Sequence, residues 1–272
     1  MSSTIHPTAV IDPAAKLGED VTIGPYVVVE PDTVVGDGCI LEAHAVVKRF
    51  ATLGARCHLH PGAVIGDLPQ DLSFTGEPSY VVVGDDTTFR EFVTIHRGTV
   101  PGSTTRIGSH VYMMACSHAA HNTQLGDYVI VANAALLAGY VTVGEHAFIG
   151  GGTPIHQHTH IGRYAMVAGG SAFSKDVPPY CITSANPPNH VAGLNLVGLR
   201  RSGFTPEQRK QLRAAFNVIY LQGNNLTQAR EILEAQAEAG ANPYAAEFAE
   251  FLANAHRGIC PPYHLEKSSE PS

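Results

Sequence analysis

A period of six constrains this chain more than any other feature. Ile5, Ile11, Leu17, Ile23, Val29, Val35, Leu41, Val47, Leu53, Leu59 and Ile65 stand in unbroken phase. The phase resumes at Val83, Phe89 and Ile95, and again from Ile107 and Met113 through to Val167 and Phe173. Only Asp71, Glu77 and Pro101 interrupt it. Glycine often follows the aliphatic residue, and a small or β-branched residue comes two or three places later, as in LGEDVT and VGEHAF. A short strand explains the aliphatic, which points inward. A tight corner explains the glycine, where unusual backbone angles and close approach are tolerated. Three hexads close one triangular coil of 18 residues, and coils stack at the ~4.8 Å spacing of neighbouring strands. Neither the 3.6 period of a helix nor the alternation of a long strand gives this pattern. The predicted fold is mainly β: a left-handed parallel β-helix of hexapeptide repeats over residues 1–190.

The interruptions predict loops over 67–80 and 98–106, polar segments rich in Gly, Pro and Ser thrown out from the coil, where rigid scaffolds commonly carry function. Past Phe173 the grammar changes. PPYCITSANPPNH reads as a Pro-rich crossing into a helical domain over 191–272. There, Thr205 caps a helix with Pro206 at its first position and Gln208 completing a capping box, and Gly223 stops it. A second helix is predicted over Thr227–Ala239, and a third from Asn242-Pro243 to near Gly258. The apolar stripe Leu212, Phe216, Ile219, Tyr220 requires a packing partner.

Composition narrows the functional classes. A net charge of −7 gives no footprint for nucleic acid. The five cysteines, Cys39, Cys57, Cys116, Cys181 and Cys260, are scattered without metal-ligand spacing and read as free thiols in a reducing compartment. MSSTIHPTAVIDPAA lacks the basic and apolar regions of a signal peptide, and no stretch approaches the ~20 apolar residues of a membrane span. A cytoplasmic protein without cofactor or resident metal is expected. Histidine, at fifteen, is abundant, with His110, His118, His121, His146, His156, His158 and His160 grouped in the second half. Eighteen residues beyond His121 is Gly139, one coil above it, and His156 stands close to two coils above. A histidine beside a glycine N–H pairs a general base with an oxyanion donor. With no nucleophile elbow and no phosphate-binding loop, acyl transfer here would go by direct attack.

QDLSFTGEP (70–78), REFVTIHRGTV (90–100), SHAAHNTQLGD (117–127), LLAGYVTVGE (136–145), HQHTHIG (156–162), DVPPY (176–180) and GLNLVGLRRSGF (193–204) resemble the acyl-[acyl-carrier-protein]:UDP-N-acetylglucosamine O-acyltransferases, which open lipid A biosynthesis. The resemblance implies that His121 is the general base and Gly139 the oxyanion donor. It places Asp71, His118, Asn122, Tyr140, His156 and Gln157 around the acceptor sugar, Asn195 and Arg201 at the UDP moiety, and Gly169 where acyl length is measured. It implies a homotrimer with sites between subunits, an acyl-carrier-protein thioester as donor and a UDP-sugar as acceptor. Arg200, Arg201, Arg209, Lys210 and Arg213 form the densest basic run for an acidic carrier. The sequence also departs from the family's pattern: Asn122 stands for an acidic residue, Tyr140 for a His, Ser73 for a Lys, Val197 for a Glu and Ser202 for an Arg. These departures leave open a 3-amino UDP-sugar acceptor and a catalytically weakened binding protein. A zinc enzyme of the γ-carbonic-anhydrase type, using His121, His156 and His160, is the rival of another class.

Overall fold

The computed structural model describes residues 3–263. Short parallel strands, mostly two residues each, form the three faces of a left-handed parallel β-helix. Face one begins at Thr4–Ile5 and carries eleven strands; face two begins at Val10–Ile11 and face three at Lys16–Leu17, with eight strands each. Register confirms the 18-residue coil, as in Thr4↔Thr22 and Thr142↔His160. From Val21 onward the typical hexad buries two residues. The phased aliphatic and the small residue two places before it (Ile23 with Val21, Leu41 with Cys39, Leu59 with Cys57) are fully enclosed. Four of the five cysteines are buried, Cys39 and Cys57 in this way; Cys116 is exposed. Coil spacing explains the corner glycines. A Cβ on Gly36 would come 2.8 Å from the Ala55 nitrogen of the next coil, so the backbones can approach only without one. At most corners the residue two places further on adopts positive φ, and Asn122 (+61°) and Tyr140 (+60°) are two of these.

Across the two loops the register becomes Val64↔Thr94 and Tyr80↔Thr104, steps of 30 and 24. The loops thus insert 12 and 6 residues beyond the 18 of a coil. Both are shorter than predicted. Asp67 ends the strand Val64–Asp67, Tyr80 begins Tyr80–Val83, and residues 104–106 belong to Thr104–Ile107. The long strands on either side pair in full, Tyr80 to Val83 with Thr104 to Ile107, so ladder bonds claim residues whose polarity suggested a loop.

The Pro-rich crossing is a second correction. Cys181–Ser184 and His190–Leu194 form an antiparallel hairpin that continues face one, with Pro178 and Pro179 before its first strand and Pro187 and Pro188 in its turn. A short helix absent from the sequence reading follows, α1 (Leu196–Arg201). Helix α2 (Pro206–Tyr220) starts with the expected Thr205–Gln208 capping box but stops before Gly223. Helices α3 (Leu226–Glu238) and α4 (Ala245–Ala253) complete the chain's helical part. The α2 stripe Leu212, Phe216, Ile219 and Tyr220 is buried against the same chain, and the Tyr220 hydroxyl donates to the Cys260 carbonyl at 2.9 Å. Arg163, on the last full coil, meets Glu247 of α4 through Nε at 2.6 Å and Nη2 at 2.8 Å. Among the described residues no helix is long and apolar enough to cross a membrane.

Candidate active site

The edge between faces two and three brings the chemistry together. His121, Gly139 and Gln157 stack there on successive coils: the Tyr140 N–H donates to the His121 carbonyl and the His158 N–H to the Gly139 carbonyl, both at 3.0 Å. A groove of about 350 Å³ runs along them, lined also by Asp71, His118, Leu136 and Pro154. Gln157, not His156, is the residue two coils above His121. His156 lies just off the groove with Nδ1 3.1 Å from the Gln157 carbonyl.

Hydrogen bonds hold the histidine in one tautomer. Asn122 Oδ1 accepts the Thr99 N–H at 3.1 Å, which fixes that atom as the amide oxygen. His121 Nδ1, 3.1 Å from the same oxygen, must therefore be the donor. That tautomer leaves the lone pair on Nε2, which faces Asp71 Oδ2 at 3.5 Å. Ser73 in turn holds Asp71. Its N–H (2.8 Å) and hydroxyl (2.7 Å) bond the carboxylate and keep its pKa below the usual range. The residue that stands where a Lys is usual thus has a defined role. So does Asn122: it cannot supply charge, but it orients the ring, and a carboxylate arrives from Asp71 on the other side. Tyr140 crosses the His121 ring edge-on (5.3 Å), lies 3.2 Å from the Thr99 hydroxyl and stacks on His158 (4.8 Å). These contacts brace the His121 ring.

Gly139 completes the pair. Its N–H has no acceptor among the described residues. A Cβ there would stand 3.0 Å from His121 Nδ1 and closer still to Cε1 and Nε2, so only glycine lets the imidazole lie against this corner. His118 sits beside the site with Nδ1 2.8 Å from the Thr94 hydroxyl, edge-on to His96. Burial, reinforced by His96, pushes its pKa down to about 4 and keeps it neutral; burial lowers His96 likewise.

Sequence reasoning missed the supports. Thr99 and Thr105 fix Asn122, the latter accepting its N–H at 2.7 Å. Arg97 lies between Phe50 and Phe74, 5.3 Å from each ring, and donates its N–H to the Asp67 carbonyl at 2.9 Å. It pins the loop that carries Asp71. The only signal for these residues was their nearness to the loops.

Other predicted residues lie elsewhere. Asn195 and Arg201 line a second groove of about 640 Å³ against face one, with His146 and Met166. Asn195 is already committed: its oxygen caps α1 at the Gly198 N–H (3.1 Å) and its amide nitrogen donates to the Tyr164 carbonyl (3.0 Å). Gly169 stands exposed at the edge between faces one and two, and a Cβ there would be 3.0 Å from the Gly151 carbonyl oxygen. His121, His156 and His160 do not converge within one chain; among the described residues the one metal-type cluster is Glu42, His58 and His60.

Known proteins resemble this chain in sequence and fold. A family model described as UDP N-acetylglucosamine O-acyltransferase, domain 2, matches residues 176–260, and hexapeptide-repeat models match 14–49 and 32–67. The chain is 42% identical to the acyl-[acyl-carrier-protein]–UDP-N-acetylglucosamine O-acyltransferase of Halorhodospira halophila over 94% of this chain and 98% of that one. It is 55% identical to the protein of that name from Sulfurihydrogenibium, covering 94% of each. Among solved structures, LpxA from Acinetobacter baumannii aligns with a TM-score of 0.89 at 37% identity, covering 94% of this chain and 98% of that one. The UDP-N-acetylglucosamine acyltransferase of Francisella novicida aligns at 0.90 with 30% identity, covering 95% and 94%.

Proposed function

Because this chain belongs to the acyl-[acyl-carrier-protein]–UDP-N-acetylglucosamine O-acyltransferase family and is an acyltransferase, we propose its two substrates and the role of each site residue. The donor is a 3-hydroxyacyl thioester of acyl carrier protein and the acceptor is UDP-N-acetylglucosamine, acylated at its 3-hydroxyl in the first step of lipid A biosynthesis. His121 Nε2 takes the hydroxyl proton as the oxygen attacks the thioester carbon. The tetrahedral oxyanion is held by the Gly139 N–H, and Asp71 stabilises the imidazolium. Collapse expels the carrier thiolate, which recovers the proton from His121. The carrying observation is the tautomer lock: Nδ1 bound to Asn122 Oδ1, with Nε2 open to the groove. Asn122 satisfies the orienting half of what an acidic residue would do, which favours the hydroxyl acceptor over the 3-amino sugar. The His121 and Arg201 grooves lie on different faces of one chain. A nucleotide-sugar that used both would therefore span two subunits, as in a homotrimer. A cytoplasmic location fits a carrier-protein donor.

The decisive assay compares kcat/KM for UDP-N-acetylglucosamine and its 3-amino analogue with several acyl-carrier-protein thioesters. His121→Ala is expected to lose about 10²- to 10⁴-fold in rate with the fold retained. A variant within a few-fold of the parent would remove His121 as the base, and a faster 3-amino acceptor would reassign the substrate.

A further inference from the structure

The metal-type cluster lies apart from the His121 site, on face one of earlier coils. The strand His58–Leu59 pairs with Ile40–Leu41 below it and Thr88–Phe89 above it, so Glu42, His58 with His60, and Glu91 come from three successive coils. His58 Nε2 stands 2.6 Å from Glu42 Oε1, and His60 Nδ1 stands 3.3 Å from the same oxygen. One ligand atom from each of Glu42, His58 and His60 falls within 4.8 Å of the others. The two imidazoles stack with centroids 4.1 Å apart. Glu91 Oε1 approaches His60 Nδ1 to 3.8 Å but is itself held by Arg90 at 2.9 Å.

Without a cation the three side chains are held together only by proton-mediated contacts. Two imidazole nitrogens aim at one carboxylate oxygen, and both can bond it only if both carry protons. A single divalent ion replaces those two protons and bonds all three groups at once. Zinc takes nitrogen and oxygen ligands at about 2.0–2.2 Å in tetrahedral array, which sets neighbouring ligand atoms about 3.3 Å apart. The His60–Glu42 separation already has that value. The His58–Glu42 contact would open by about 0.7 Å, within the reach of side chains that are 32% and 36% exposed.

We propose that Glu42, His58 and His60 bind one divalent transition-metal ion of the zinc class, with water in the fourth place and Glu91 behind it. The ion clips the coils together and takes no part in acyl transfer, whose groove lies on another face. Imidazole ligands select zinc-like ions over magnesium.

The test uses full-length protein stripped with chelator and dialysed. Equilibrium dialysis against zinc is expected to give one equivalent bound per chain in the micromolar range or tighter. Magnesium should give none. Glu42→Gln and His58→Ala should each weaken this binding at least tenfold. Saturating zinc should raise the parent's midpoint of thermal unfolding by about 5 °C, and the variants' by far less. Stripped protein should keep its acyl-transfer rate. Absence of a bound equivalent, or equal binding by parent and both variants, would overturn the proposal; the latter would place the ion on other histidines or on the exposed Cys116.

Discussion

Gly139→Ala separates the two services that Gly139 gives. The substitution keeps the backbone N–H and is permitted by the backbone, since Gly139 is not among the positive-φ residues. What it adds is a methyl 3.0 Å from His121 Nδ1 and closer to Cε1 and Nε2. Carbon atoms rest at about 3.5–4.0 Å, so the imidazole must retreat by roughly 1 Å. That movement breaks the 3.1 Å bond to Asn122 Oδ1 and releases the tautomer lock. A misplacement of about 1 Å costs on the order of 10²-fold in rate. Gly139→Ala is therefore expected to lower kcat about 10²-fold with KM for the nucleotide-sugar changed little. Initial rates with a radiolabelled acceptor give both constants, and circular dichroism checks the fold. A folded variant with kcat within threefold of the parent would refute the reasoning, because it would mean that His121 does not work from the position against Gly139.

Asn122→Asp adds charge beside His121 Nδ1 while keeping an acceptor for Thr99, and should raise kcat for the hydroxyl acceptor more than for an amine; no gain in rate ratio would show that Asp71 already supplies the needed charge. Gly169→Met puts a long side chain at an exposed edge where even a Cβ meets the Gly151 carbonyl, and should shift preference to shorter acyl donors; an unchanged chain-length profile would mean that length is measured elsewhere. His118 gives a pH signature. Its folded pKa of about 4 lies below the ordinary 6.5, so between those values the unfolded chain binds more protons and stability rises with pH. Denaturant midpoints should fall as pH drops from 6.5 to 4, and His118→Gln should flatten that slope; an unaltered slope would assign it to His96 or another group.

The β-helix was legible because every hexad repeats one physical constraint, so errors at single residues cannot accumulate. Asp71, Glu77 and Pro101 stood out only against that regularity, and they mark the two loops. The hairpin after Tyr180 was not legible. Its prolines sit in the turn, and a sequence rich in Pro gives no sign of which residues escape into strands. Gly139 could be placed over His121 by counting eighteen, but the same count could not reveal Thr99, Thr105 or Arg97. Thr99 and Arg97 act across the loops, where the count is broken, and Thr105 acts through a hydroxyl contact that a backbone count does not show. The commitment of Asn195 to capping α1 was equally hidden, since α1 is too short to announce itself by periodicity.

The regular coil has a consequence for how this molecule is addressed. Once the two loops are subtracted, a residue number divided by eighteen gives a height and the remainder gives a compass bearing. Ligands along one bearing are read in floors about 4.8 Å apart, with one residue offered per floor. The interior depends little on what stands outside on any floor, because the inward pair combines an apolar residue with a small or β-branched one on nearly every floor. A working group could thus be moved up or down one bearing without repacking the shaft, much as tenants move between storeys of one building. His121 and Gly139 hold adjacent floors, and the zinc-class cluster holds others on a different bearing.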